Sequence, residues 1–194
     1  MRLVVGLGNP GSRYARNRHN VGFRVVERLG RDLPWSRKFE GELTLGDWDG
    51  EKVGLLKPLT YMNASGDAVS AAAHFYKLPG DEVLVIHDEI DLPFGRLQLK
   101  RGGGNAGHNG LRSIADRLGG PDFVRLRVGV GRPPAGWDPA NYVLSDFTAD
   151  EERELDEIAP HAADAARSWA TQGLAKAMNA FNQRPKQGGE ATKA

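Results

Sequence analysis

Apolar positions recur along the chain in two rhythms that separate strands from helices. The run LVVGLG at 3–8 is short, unbroken and closed by glycines, as expected of a strand buried on both faces. Over 21–33, Val21, Phe23, Val25, Val26 and Leu29 fall on one helical stripe, with Arg24, Arg28 and Arg31 outside it. ELTLGDWDGEKVGLLKP at 42–58 predicts a hairpin turning at Asp49-Gly50 and ended by Pro58. Residues 64–76 are alanine-rich and helical, with Asn63 as the cap. VLVIHD at 83–88 reads as a second buried strand and RLQLK at 96–100 as a more exposed one. The glycine-dense loop RGGGNAG then leads into a helix from about 108 to 118. FVRLRVGVG at 123–131 alternates apolar and basic residues, the pattern of a strand with one wet face. After RPPAGWDP the pattern predicts a short strand near 142–144, then helices from about 148 to 169 and from 173 to 181. The last ten residues, PKQGGEATKA, offer only small alanines to bury and are expected to be a disordered tail over 185–194.

Strands alternating with helices, without an internal repeat or a linker, predict a single α/β domain over 1–184. Its expected core is a mixed, mostly parallel twisted sheet with helices on both faces. A chain of 194 residues buries such a core without staples, and it has no cysteine, which excludes disulfides, zinc-thiolate sites and a cysteine nucleophile. No apolar run approaches the roughly 18 residues of a membrane span, and MRLVVGLGNPG lacks the apolar length and cleavage site of a signal peptide. The expectation is a cytoplasmic protein with no membrane partner.

Lys plus Arg and Asp plus Glu nearly balance at 26 and 25, so only their distribution is informative. Residues 1–40 carry nine bases against three acids and residues 95–132 eight against two, whereas 138–164 carries one against nine. A chain polarised in this way can turn a basic face to a polyanion; solvated surface charge is the plainer reading.

GLGNPG at 6–11 satisfies the dinucleotide fingerprint G-x-G-x-x-G after a strand. That fingerprint needs a helix to begin at once so that its amides meet a pyrophosphate. Pro10 removes one such amide, and 12–18 offers only Tyr14 and Ala15 as apolar material, so no nucleotide cofactor is inferred. Asn9 reads instead as a polar group delivered to the carboxyl end of a central strand, where open α/β sheets build their sites.

Five polar clusters fall where strands end or helices begin: Asn9, His19-Asn20, Tyr61-Met62-Asn63, His87-Asp88-Glu89 with Asp91, and His108-Asn109. A sheet can bring these to one rim. There, a histidine whose second ring nitrogen meets a carboxylate is a proton acceptor near neutral pH, and His19 with Asp88 would make that pair. Asn9, Asn63 and Asn109 supply neutral amides able to hold a carbonyl oxygen or a water. No serine lies in a G-x-S-x-G elbow, so water is the expected nucleophile. Each assignment has a plainer counterpart: His19 as a surface group, Asn63 and Asn109 as helix caps, Asp88 as a turn residue. His87, Glu89 and Asp91 alternate at strand spacing and are available as metal ligands, though acids at a strand end are more often a solvated edge; no metal is predicted. His74 and His161 lie inside helical patterns and are read as structural.

VVGLGNPGSRYARNRHNVGF, KPLTYMNASGDAV, IHDEIDLPFGRLQLK, GHNGLRSI and RLRVGVGRP together resemble the bacterial-type peptidyl-tRNA hydrolase family, in order from residue 3 to about 182. The resemblance implies a monomeric cytoplasmic enzyme that hydrolyses the ester between a peptide and the ribose of tRNA, without metal or cofactor. It implies His19 as catalytic base, Asp88 as its partner, Asn9 and Asn63 at the peptide and ester end, and Asn109 at the tRNA end with a water. Tyr14, Tyr61 and Met62 fall at groove positions for the terminal nucleotide and peptide, and Lys100 with Arg127 resembles a clamp for the tRNA 5′-phosphate. One position departs from the family pattern: Ala106 stands where a glycine is usual, and a Cβ there would strain left-handed backbone near His108. The alternative on the same scaffold is a non-catalytic RNA-binding module.

Overall fold

Seven strands form one sheet in the order β2-β3-β4-β1-β5-β7-β6 in a computed structural model that describes residues 1–183. They are β1 (Arg2–Gly6), β2 (Ser36–Lys38), β3 (Gly41–Trp48), β4 (Glu51–Pro58), β5 (Val83–Glu89), β6 (Leu97–Arg101) and β7 (Val124–Gly129). The helices are α1 (Val21–Leu29), α2 (Ser65–Phe75), α3 (Asn109–Leu118), α4 (Pro139–Val143), α5 (Ala149–Gln172) and α6 (Leu174–Phe181). The tail expected over 185–194 lies outside the described residues.

The parallel part of the sheet is its centre: β4, β1, β5 and β7 run in register as neighbours, and β2, β3 and β6 are antiparallel at the margins. One apolar layer joins α1, α5 and α6 to the sheet through Val4, Leu84, Ile86, Leu126 and Trp169. The other joins α2 and α3 through Leu3, Val5, Val83, Val85 and Phe123, so both faces of the central strands are covered.

The glycines of GLGNPG serve this packing. A Cβ on Gly6 would lie 2.2 Å from the carbonyl oxygen of Gly22, and one on Gly8 would enter the Phe23 ring, so both let α1 press against β1. After Gly11 the chain makes turns up to residue 17 and a short 3-10 turn at Arg18–Asn20 before α1 begins, so no helix follows the fingerprint. The Asp49-Gly50 hairpin matches expectation, with both residues at positive φ (53° and 86°), the requirement of a tight two-residue turn matching strand twist.

Three local expectations are corrected. Residues 139–143 form a helix, not a strand, because Asp138 caps it by accepting from the Ala140 amide and Pro139 occupies its first turn. Asn63 does not cap α2; it lies in a 3-10 turn at Met62–Ala64, and Ala64 holds the cap position without a side-chain bond. β7 has no wet face at Arg125, which is 1% exposed beneath the glycine loop.

Candidate active site

The carboxyl ends of β1 and β5, the 3-10 turn before α1, the turn before α2, the glycine loop and α4 meet around a cleft of about 960 Å³. Open α/β sheets bind ligands at this end, between strands whose connections leave in opposite directions. Here β1 sends its chain to α1 on one face, and β4 sends its chain to α2 on the other.

Asp88 sits buried at the end of β5 with two imidazoles on its carboxylate. His19 Nδ1 lies 3.0 and 2.9 Å from the two oxygens, and His108 Nε2 lies 2.8 Å from Oδ1. The rings of His19 and His108 are 4.9 Å apart. Hydrogen bonding settles the protons. His108 Nδ1 faces the amides of Gly110 and Leu111 at 3.2 and 3.3 Å and accepts from them as the cap of α3, so its proton is on Nε2 and is donated to Asp88. Asp88, held between two donors, then draws the His19 proton to Nδ1 and leaves the Nε2 lone pair of His19 for the cleft.

The electrostatics follow. Burial alone would lower the His19 pKa, but the charge and hydrogen bond of Asp88 outweigh it and hold the imidazole above its ordinary 6.5. Burial would raise Asp88; the two histidines outweigh this and keep its carboxyl well below the usual range. His87, on the opposite face of β5, donates from Nδ1 to the Asp88 carbonyl at 2.8 Å, and burial, with the nearby His108, pushes it down to about 3. It is neutral at any physiological pH.

Asn9 is also held in a definite orientation. The Asn20 side chain pairs with its backbone in both directions, donating to its carbonyl and accepting from its amide at 2.9 Å each. Asn9 Oδ1 accepts from the Met62 amide at 2.7 Å. With its oxygen engaged, its Nδ2 is left as a donor to the cleft. Asn109 accepts from Arg112 through Oδ1 at 2.8 Å, which again leaves the amide nitrogen.

Lys100, Arg125 and Arg127 project from one face of β6 and β7 under the glycine loop. Arg125 is a loop anchor, donating to the carbonyls of Gly104 and Gly103 at 2.7 and 2.9 Å. Arg127 pairs with Glu89 through Nε at 2.8 Å and also donates to Gln98. Partial burial, then repulsion from Arg127 and Arg125, lowers the Lys100 pKa. In the loop itself Ala106 has φ +46°, so the residue in the usual glycine position does adopt left-handed backbone.

Of the side chains expected at the site, the structure brings Asn9, His19, Tyr61, Met62, Asn63, Asp88, Lys100, Asn109 and Arg127 to the cleft. It does not bring Tyr14 there; that ring lies in the turn after Gly11, with the Arg13 guanidinium 5.5 Å from its centre. Sequence reasoning gave no role to His108, Asn20 or Arg18. For His108 the available signal was an imidazole directly ahead of an apolar helical pattern, the place of a cap. The expected basic N-terminal face is also partly internal: Arg18 and Arg24 pair with Glu151 and Glu152 at 2.7 Å, which joins the basic segment to the acidic one. His87, Glu89 and Asp91 do not converge, since Glu89 faces Arg127 and Asp91 faces Arg132. His74 and His161 are exposed on α2 and α5, away from the cleft, and His161 packs on Phe181.

His19, Asp88 and His108 also have a cation-binding composition, with ligand atoms within 4.8 Å of one another. Coordination through His108 Nε2 would require its proton to move to Nδ1, where two backbone N–H groups already point. The bond directions suit two imidazoles donating to a carboxylate rather than a metal cage.

Residues 3–188 match the family model described as peptidyl-tRNA hydrolase. The peptidyl-tRNA hydrolase of Anaeromyxobacter dehalogenans is 51% identical over 187 residues, covering 95% of this chain and 97% of its own. That of Geotalea daltonii is 48% identical over 187 residues, covering 95% and 97%. The crystal structure of peptidyl-tRNA hydrolase from Acinetobacter baumannii superposes with a TM-score of 0.85 at 41% identity, covering 94% of each chain. No helix among the described residues is long and apolar enough to cross a membrane. By motif, overall identity and fold, the chain belongs to the peptidyl-tRNA hydrolase family.

Proposed function

We propose that the protein hydrolyses the ester joining a peptide to the 3′-terminal ribose of tRNA, with water as nucleophile and His19 as base. The observation that carries this reading is the imidazole held by a buried carboxylate at 2.9 Å with its other nitrogen turned to a cleft lined by amides. His19 Nε2 removes a proton from water as the oxygen attacks the ester carbonyl. The oxyanion accepts from Asn9 Nδ2, whose orientation is set before substrate arrives, so stabilising it costs little reorganisation. Collapse breaks the bond to the ribose oxygen, which takes the proton from the His19 imidazolium. The products are a peptide acid and a tRNA with a free 3′-terminal hydroxyl, and no covalent enzyme intermediate or metal is needed.

The two chemistries of the cleft lining support an orientation for the substrate. Lys100 and Arg127 suit phosphate oxygens, with Arg127 exchanging its Glu89 partner for a phosphate, whereas Ile90, Ala140, Val143 and Leu144 suit an apolar peptide side chain. Asn109 and Tyr61 fall at the nucleotide end, Asn63 and Met62 at the peptide end. On this reading the protein acts as a cytoplasmic monomer and recycles tRNA from prematurely released chains.

The test is turnover of N-acetyl-aminoacyl-tRNA by the parent and by His19→Ala, with free aminoacyl-tRNA as the control. Hydrolysis by the parent, with a loss of about 10²-fold to 10⁴-fold in the folded variant, is expected. Binding of the substrate without turnover by the parent would favour the RNA-binding module instead.

A further inference from the structure

Arg18 immediately precedes the catalytic base, yet its side chain is 7% exposed and directed away from solvent. Its guanidinium donates to Ser145 Oγ at 2.7 Å, to the Asp146 carbonyl at 2.8 Å and to Glu151 Oε1 at 2.7 Å. It lies 4.3 Å from the centre of the Tyr142 ring, and the Arg18 amide donates to the Ser145 carbonyl at 3.1 Å. The same Glu151 oxygen accepts from the Thr148 amide in the capping box that starts α5. One side chain therefore grips the end of α4, the link after it and the start of α5. On α4, Tyr142 meets Arg18, while Ala140 and Val143, with Leu144 just past the helix end, form the apolar wall of the cleft.

We infer that Arg18 is a positioning residue that fixes the distance between the His19 base and the apolar α4 wall, and so sets how well the enzyme uses a large apolar side chain next to the scissile ester. This rests on the hydrolase reading above. The guanidinium suits the task for geometric reasons: a planar fork can hold several oxygens in fixed directions and stack on an aromatic face at once, which an ammonium cannot. A substrate that leans on the wall feels any loosening of it. A glycyl substrate has no side chain to place there.

The experiment compares the parent, Arg18→Met and Arg18→Lys on N-acetylleucyl-tRNA and N-acetylglycyl-tRNA, below the melting temperature of each protein. Arg18→Met is expected to lower kcat/KM for the leucyl substrate by about 10-fold to 100-fold, mainly through KM, and to lower it far less for the glycyl one. The pH midpoint set by His19 and Asp88 should stay at the parent value, and Arg18→Lys should recover part of the loss. Amide hydrogen exchange over 140–147 should quicken in Arg18→Met while β5 stays protected. Equal losses on both substrates, or unchanged exchange over 140–147, would overturn the inference. A parent inactive on both substrates would defeat the hydrolase reading instead, and the exchange result would then decide the tether alone. Should Arg18→Met fail to fold, Ser145→Ala, which removes the hydroxyl that accepts from Arg18 and donates to the Tyr142 carbonyl, is read by the same criteria.

Discussion

Replacing Asp88 by asparagine tests the site at its most constrained point. The carboxylate accepts from His19 Nδ1 at 2.9 Å and from His108 Nε2 at 2.8 Å. An asparagine has one acceptor oxygen and one donor nitrogen, so one imidazole must face an N–H. His108 is held in its tautomer by the amides of Gly110 and Leu111, so the adjustment falls on His19. Its proton moves to Nε2, and the lone pair needed for water is lost. Loss of general-base function spans about 10²-fold to 10⁴-fold, and a middle value of about 10³-fold corresponds to roughly 4 kcal/mol of barrier. The pH profile shifts as well. With His19 as the proposed base, the neutral, active imidazole of the parent accumulates as pH rises through a pKa above 6.5; in the variant burial acts unopposed and the midpoint falls below 6.5.

Stability changes with pH in a matching way. The raised His19 pKa contributes stability fully present below 6.5 and lost as pH rises through the folded value. The depressed Asp88 pKa contributes stability present above 3.8 and lost as pH falls through its folded value. The unfolding free energies of parent and Asp88→Asn should therefore differ most between 3.8 and 6.5; the difference shrinks, without vanishing, as pH rises through the folded His19 value, because the Asp88 contribution remains, and it closes as pH falls through the folded Asp88 value. The assays are single-turnover hydrolysis across roughly pH 5 to 9 and urea unfolding from roughly pH 3 to 9. A variant within threefold of the parent, with an unmoved pH midpoint, would refute the assignment of Asp88 as the group that orients and charges His19.

Other outcomes follow from the same geometry. His108→Ala should lower the melting temperature, by an amount reflecting about 1 kcal/mol for the missing α3 cap plus the cost of a donor removed from buried Asp88, as read by thermal unfolding. Lys100→Ala and Arg127→Ala should raise KM and flatten the dependence of log(kcat/KM) on log[salt] by about one unit for each phosphate no longer neutralised, and an unchanged slope would remove that residue from phosphate binding. Ala106→Gly should stabilise the protein by up to about 1 kcal/mol in denaturant titration, because φ +46° strains an alanine and not a glycine. Gly22→Ala, whose Cβ would lie 2.4 Å from the Ile86 carbonyl oxygen, should cost about 1–3 kcal/mol by forcing α1 off the sheet.

The parts of the molecule legible in the sequence were those fixed by neighbours in the chain. Asp49-Gly50 is a turn because both residues take positive φ locally, and LVVGLG and VLVI, the apolar part of VLVIHD, lie in the centre of the sheet because their large apolar side chains are all shut away from water. The His19-Asp88 pair was readable from chemistry, since few other residues of this chain combine a base and an acid at predicted strand and helix ends. What escaped was decided by distant partners. Arg18 and Arg125 look solvated in any local pattern, and only the fold shows them gripping residues 145–151 and the glycine loop. The helix at Pro139–Val143 was missed because its five residues are too few to display a period, although the Asp-Pro start carried a cap signal. His108 was hidden by performing two tasks at once, capping a helix with one nitrogen and serving a carboxylate with the other.

The grip of Arg18 also bears on the order in which the chain becomes competent during its synthesis. Its partners Ser145 and Glu151 stand 127 and 133 positions downstream, so more than half the polypeptide must leave the ribosome before the turn carrying the imidazole can be locked. Contacts of such long sequence separation form late, after the loop between them has been closed. A nascent fragment can pair β1 with its neighbours and still leave the proposed base unseated; on that reading hydrolytic competence arrives only with the last third of the chain.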